Sequence, residues 1–261
     1  MLIGRRVGLL DFPAAMKPHL RPVPYTGGAA LAATFVVAGL LIDAPRSIVV
    51  AGLAMWLIGF VDDARGLQPG AKLLLEIVPL SLGTAELDMP PAIRVVAIAI
   101  GMILVNAFNV IDGLDGLAGG VALITLLSFV AGGAREFALA GVVAGAVVGF
   151  LVFNLNPARL FLGDEGSLFL GYLLWILPLV AFVANGDFNR LIPLGLVWTF
   201  PLINVGFVVT RRLRERRSIL RGDRDHLYDV LHAKFGLRAT LLLCWSVAAV
   251  SALAAAFLYS L

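Results

Sequence analysis

The sequence predicts an all-α membrane protein: a single integral membrane domain over residues 1–261, folded as a polytopic bundle of about nine transmembrane helices with its functional residues at the cytoplasmic face. Three observations predict it. First, of 261 residues 60% are hydrophobic and 14% charged, with mean hydropathy +0.96, whereas soluble domains run near 45–50% apolar and about 25% charged. Phe, Leu, Val and Ile recur throughout, which excludes a disordered chain as well as a water-soluble globule. Second, nine mostly apolar windows of roughly 15–23 residues divide the chain. Third, Lys and Arg are distributed unevenly between the two sets of connections that those windows create.

Taken in order, the windows fall at 28–42, 47–61, 72–86, 93–111, 117–134, 137–155, 166–184, 191–210 and 239–260. The spans beginning near 28 and 72 only just reach the length that a hydrocarbon core of about 30 Å requires. Ahead of them, residues 1–13 carry Arg5 and Arg6 without an apolar core segment, so they do not read as a signal peptide. The single cysteine, Cys244, excludes an intrachain disulfide and a cysteine-based zinc site. The pI near 9.3 is what cytoplasmic loops of a membrane protein produce, and it is not taken as a sign of nucleic acid.

If all nine windows cross, residues 1–27, 62–72, 112–116, 156–165 and 211–238 share one side and hold 16 of the 20 Lys and Arg. Only Arg46, Arg94, Arg135 and Arg190 lie opposite. This places the first set in the cytoplasm. The same alternation, built from basic residues alone, gathers acids there too: Asp62 and Asp63, Asp112 and Asp115, Asp164 and Glu165. Convergence of this kind predicts one site.

Asn106, Asn109, Asp112 and Asp115 recur every third residue, so on a helix each step drifts by only about 60° and the row keeps to one side. It is expected to point into a shared cavity, although Asn in a bundle also serves simply to bond a neighbouring helix. Gly113 and Gly116 follow the acids, break the helix and let backbone approach a ligand. Phe161 to Ser167 opens the seventh window, putting Asp164 and the first backbone N–H groups at a helix N-terminus, a place that suits phosphate directly or through a cation. Mg²⁺ takes one or two protein carboxylates and leaves its other positions to phosphate and water; Asp164 fits that role, and an acidic N-cap is the plainer alternative. Asp62 and Asp63 end one span and Lys72 begins the next around a turn rich in Gly and Pro. Between Arg211 and Arg238 lies the longest polar stretch, with Arg224 and His226 among Asp223, Asp225 and Asp229. A basic anchor or an interfacial helix with Leu220, Leu227 and Leu231 toward lipid accounts for its arginines; Arg and His there also suit a pyrophosphate or anionic headgroup.

Together these strings resemble the polyprenyl-phosphate N-acetylhexosamine-1-phosphate transferases, the glycosyltransferase family 4 group that includes MraY and WecA. The matching residues are Asp62-Asp63-x-x-Gly66-Leu67 with Lys72, the row from Asn106 to Ala118, and Phe153-Asn154-x-x-Pro157-Ala158-Arg159-x-Phe161-Leu162-Gly163-Asp164-x-Gly166-Ser167. A shorter match lies at His226, and Asp11, Pro13, Lys17, His19, Pro22, Pro24, Gly27 and Gly28 look like the family's first cytoplasmic loop. The resemblance implies transfer of a sugar-1-phosphate from a UDP-sugar to undecaprenyl phosphate or a similar polyprenyl phosphate, with release of UMP and dependence on Mg²⁺, Mn²⁺ being the alternative. By position, Asp164 and Asn109 would hold the metal, Asp115 with Gly113 and Leu114 would meet the uridine, and Lys72, Asn106, Asp112 and Asn154 would line the nucleotide and phosphate pocket. Arg224 would screen phosphate charge, His226 would close over the sugar or its phosphates, and Asp62 or Asp63 would take the residual proton of the lipid phosphate. The reduced histidine motif points to the WecA-like branch, serving O-antigen, capsule or another surface glycan in the bacterial inner membrane, rather than the peptidoglycan translocases. Family members usually carry another helix ahead of the Asp11 loop, which would make ten, and a homodimer is expected by analogy alone.

Two other classes compete. A proton- or cation-coupled transporter would place ionisable groups near the bilayer midplane and often shows inverted repeats, whereas these acids sit at span ends. An inactive scaffold is the third reading. A CDP-alcohol phosphotransferase is disfavoured, since its spaced aspartates within one helix are not found.

Overall fold

The computed structural model describes residues 4, 6, 8–13, 21–131, 138–185, 195–217 and 226–260. Among the described residues there are nine helices: α1 (Gly27–Leu41), α2 (Arg46–Arg65), α3 (Pro69–Gly83), α4 (Pro91–Val110), α5 (Leu117–Ala131), α6 (Ala138–Asn154), α7 (Gly163–Asn185), α8 (Thr199–Arg214) and α9 (Leu227–Ser260). They follow the nine apolar windows one for one. Their starts are set by recognisable breakers: Pro45 ahead of α2, Pro69 opening α3 and Pro90-Pro91 opening α4, positions where a fixed φ and a missing N–H are harmless.

Four helices, α2, α4, α7 and α9, contain stretches long and apolar enough to cross a membrane, and α1, α5 and α6 are shorter apolar helices. The protein is a helical membrane protein. Three features differ from the sequence reading. Helix α8 begins at Thr199, eight residues after the start of its window, of which residues 191–194 lie outside the described residues. A two-residue antiparallel pair, β1 (Leu10–Asp11) with β2 (Val23–Pro24), forms where loop was expected, with Leu10 opposite Pro24 and Asp11 opposite Val23. The last helix also begins twelve residues before its apolar window, at Leu227, and kinks at Gly236, whose φ of 76° lies in the left-handed region. Leu231 in that early portion packs toward the core rather than lipid; Leu220 lies outside the described residues.

Helix α7 is the centre of the bundle. Its spanning window is 78% buried, against 28–33% for α2, α4 and α9, and it packs on α1, α2, α4 and α5. Close crossing is possible because small residues face it. A Cβ at Gly59 of α2 would run into the backbone of Asp164 and Glu165, and one at Gly28 of α1 into the backbone of Gly166. In lipid, where burial of apolar surface drives little association, such backbone-to-backbone packing is what holds helices together. Aromatic contacts complete the seam: Phe35 of α1 sits edge-on to Phe169 of α7 at 5.3 Å, and the Tyr172 hydroxyl donates to the Ile48 carbonyl at 3.1 Å.

Gly59→Ala is therefore expected to lower the melting temperature in detergent, by an overpacking penalty of about 1–3 kcal/mol. Gly149→Ala, where a Cβ meets nothing within 4 Å, is the control expected to melt no lower than the parent protein.

Candidate active site

The helix ends near α7 are tied to one another by capping. Both carboxylate oxygens of Asp63, at the end of α2, accept backbone N–H groups from α7: Asp164 at 3.0 Å and Glu165 at 2.9 Å. Gly163 just before them has φ 71°, and a Cβ there would press on the Asp63 carboxylate at 2.7 Å, so this turn requires glycine. Glu165, 1% exposed, in turn accepts the Ala29 N–H of α1 at 2.9 Å, and the carbonyls of Phe161 and Leu162 accept the N–H groups of Gly27 and Gly28. The orphan donors of two helix N-termini are thus met by protein groups. This corrects the expectation that the first amides of α7 are available to phosphate: those of Asp164 and Glu165 already serve Asp63.

Asp164 itself is left to face the opening. Lys72 Nζ of α3 lies 2.7 Å from Asp164 Oδ2 and 2.8 Å from Asp62 Oδ2. Asn109 of α4 donates to Asp164 Oδ1 at 2.9 Å and to Ser167 Oγ at 2.7 Å. The Asp164 side chain is 36% exposed while those of Lys72 and Asp62 are 11% exposed, so of the three it is Asp164 that presents oxygen to a ligand. Asp62 also accepts the Leu67 N–H at 2.7 Å, which fixes the α2–α3 turn beneath Lys72.

A cavity of about 430 Å³ opens above these groups. It is lined by six aspartates, Asp11, Asp62, Asp63, Asp112, Asp115 and Asp164, and by no Lys, Arg or His among the described lining residues. Gly113, Leu114 and Asn154 line it as well. Burial, then the charges of Asp164, Asp63 and Asp115, push the Asp112 carboxyl up to about 8. Burial and the neighbouring carboxylates raise the Tyr25 phenol, on the same wall, above its usual range.

Two of the lining residues, Asp115 and Asn154, also brace the wall from within. Asp115 Oδ2 accepts both Asn156 Nδ2 and the Ala158 N–H at 3.0 Å. Asn154, 5% exposed, accepts the Gly116 N–H and donates to the Leu160 carbonyl, each at 2.9 Å. These contacts clamp the 112–116 turn to the 154–160 segment. Lys72 and Asn109 are not among the lining residues and reach the cavity only through the aspartates they bond, and Asn106 is farther still: it donates to Glu76 of α3 at 2.5 Å and to the Met102 carbonyl at 2.9 Å. The reason is geometric, since one three-residue step carries it about 4.5 Å deeper and 60° round from Asn109. His226 is likewise absent from the lining, its ring stacked on Tyr228 at 5.1 Å. Arg224, with Lys17, His19, Asp223 and Asp225, lies outside the described residues.

Residues 45–182 match the family described as Glycosyl transferase family 4. The chain belongs to that family. It is 31% identical over 264 residues to the probable undecaprenyl-phosphate N-acetylglucosaminyl 1-phosphate transferase of Bacillus subtilis, with 90% of this chain and 72% of the relative covered. Identity is 32% over 248 residues to the undecaprenyl-phosphate alpha-N-acetylglucosaminyl 1-phosphate transferase of Thermotoga maritima, covering 93% and 79%. To the Escherichia coli K12 protein of the same name it is 26% over 284 residues, covering 96% and 76%.

In this glycosyl transferase family 4 chain, Glu76, Ser167 and Tyr228 take structural roles that the sequence does not predict, and Glu165, expected in the acidic cluster, caps α1 instead of facing the cavity. All four are buried, and each bonds a partner far off in the chain. The only hint of Glu76 was its spacing of one helical turn from Lys72; Ser167 was visible within the matched string but without a role.

The Asp112 carboxyl yields a stability prediction. Its ordinary value is 3.8 and its folded value about 8, so folding takes up a proton between those values and its contribution to stability falls as pH rises through that window. Asp112→Asn carries no such term. With EDTA present, the melting temperature of the variant relative to the parent is expected to rise from pH 5 to pH 8; a difference that is flat or shrinks would contradict the assignment.

Proposed function

We propose that this protein transfers a sugar-1-phosphate, N-acetylglucosamine 1-phosphate by analogy with its relatives, from a UDP-sugar to a polyprenyl phosphate such as undecaprenyl phosphate. The products are a polyprenyl-diphosphate-sugar and UMP, and the reaction initiates a cell-surface glycan. One observation carries the proposal: six aspartates from four separated stretches of chain meet in one cavity with Lys72 behind them. Such a cavity repels two anionic substrates unless positive charge enters with them.

The donor set suits a hard divalent cation, Mg²⁺ with Mn²⁺ as the alternative. Such an ion takes one or two protein carboxylates and completes its shell with phosphate oxygens and water. Asp164, with Asn109 beside it, would hold it. The ion would supply charge screening between donor and acceptor.

The remaining chemistry belongs to the chain. An oxygen of the lipid phosphate attacks the phosphorus that carries the sugar, forming a new P–O bond as the bond from that phosphorus to the bridging oxygen breaks and UMP leaves. In-line placement is the chief requirement. Gly113, Leu114 and Asp115 form the wall against which the nucleotide docks, and Lys72 Nζ turns from Asp62 to the diphosphate, stabilising charge there. Asp62 Oδ2, released from the lysine, takes the residual proton of the acceptor phosphate, while Asp63 stays in its cap and positions Asp164. With all nine helices crossing, the sixteen-to-four split of basic residues supports these loops lying in the cytoplasm, and the bacterial relatives support an inner membrane. It lets one substrate arrive from water and the other from lipid. A homodimer, by analogy, would leave each site complete within one chain.

Purified protein given undecaprenyl phosphate, Mg²⁺ and a panel of UDP-sugars is expected to release UMP. Asp164→Asn is expected to cut release at least about 100-fold with the melting temperature retained. Asp62→Asn should lower kcat with little change in melting, whereas Asp63→Asn should lower melting as well. No UMP from any donor would end the enzyme reading.

A further inference from the structure

Tyr228 stands in the first turn of α9, 4% exposed, and its hydroxyl donates to the Val110 carbonyl at 3.1 Å. Val110 ends α4, so its carbonyl is among those that a helix C-terminus leaves without an intrahelical partner. The turn beyond it wraps round the phenol: a Cβ at Gly113 would collide with the Tyr228 oxygen and ring. Leu114 and Asp115, the next residues, line the cavity. On its other side Tyr228 carries the His226 ring, 5.1 Å away and 12° from parallel.

The start of α9 is itself held. Asn204 of α8, fully buried, accepts the Leu227 N–H at 3.1 Å, and Asp229 accepts the His226 N–H at 3.1 Å in the manner of a capping box. Tyr228 is therefore a strut with a fixed base, reaching across to the turn that forms one wall of the cavity. A side chain that only filled the core would need neither the hydroxyl nor a glycine opposite it.

We propose that Tyr228 is a positioning residue for the donor: it sets the shape of the Asp112–Asp115 turn that the nucleotide meets and links that turn to His226. This rests on the reading of the turn as the nucleotide subsite. Tyr228 touches no substrate; its effect passes through the turn, so it falls on donor binding and leaves the acceptor and the chemical step alone.

Tyr228→Phe keeps the ring against His226 and removes only the hydroxyl. Calorimetry with UMP on the purified full-length protein is expected to show a dissociation constant raised about five- to tenfold, equivalent to about 1–1.4 kcal/mol. The donor KM should rise in parallel, while kcat, the polyprenyl-phosphate KM and the melting temperature stay within about twofold or a few degrees. Gly113→Ala should weaken UMP binding in the parent and weaken it less in the Tyr228→Phe background, because the atom that the methyl meets first is gone. Unchanged UMP binding in Tyr228→Phe, or donor KM, acceptor KM and melting moving together, overturns the proposal. A parent protein that neither binds UMP nor releases it overturns the nucleotide reading and this inference with it; a parent that binds UMP beside an unaltered variant removes the role of Tyr228 alone.

Discussion

The acceptance of two α7 backbone N–H groups by the Asp63 carboxylate is the interaction on which the rest of the site depends. It joins the end of α2 to the start of α7 at a point where Gly59 and Gly28 have already brought three backbones together. Once α7 is held there, Asp164 is directed at the opening, Glu165 is directed away from it to cap α1, and Ser167 comes under Asn109. Three successive polar residues of one helix start thus acquire three different tasks from their angular separation alone. A helix centre this deeply buried also makes the arrangement stiff, and in-line transfer needs stiffness in the group that positions phosphate.

Stiffness has an electrostatic cost. Among the described residues six aspartates line one cavity and Lys72 pairs with two of them, an arrangement that works against folding and is held by the packing around it. Burial and neighbouring charge favour the neutral form of Asp112, and Asp63 and Asp115 are acceptors for backbone N–H groups. Charge left over after these measures is what a cation-bearing substrate would neutralise.

Much of this was legible in the chain. Apolar windows of membrane length located the nine helices to within a few residues, apart from the early start of α9 and the start of α8 at Thr199, eight residues into its window, because in lipid the backbone must satisfy itself and hydropathy records the result. Alternating the windows brought Asp62, Asp63, Asp112, Asp115 and Asp164 to one place, and they line one cavity. Roles within the cluster were not legible. Asp62 and Asp63 are adjacent and chemically identical, yet a 100° step sends one to Lys72 and the other to the α7 amides. Asn106 looked equivalent to Asn109 until α3 placed Glu76 opposite it. Partners so distant in sequence leave no local periodicity to read.

The two clamps from Asn154 and Asp115 carry a mechanical consequence. Asn154 holds Gly116 and Leu160 with the two ends of one amide, and Asp115 holds Asn156 and Ala158 with one oxygen. The 112–116 turn and the 154–160 segment therefore behave as one body, and that body leads through Phe161 and Gly163 directly to Asp164. Asp115, the residue expected at the uridine, and Asp164, the residue expected at the diphosphate, are then fixed relative to each other without either touching the other. A donor spanning both would be read at two ends against a rigid gauge, its nucleotide set by the turn and its reactive phosphorus by α7.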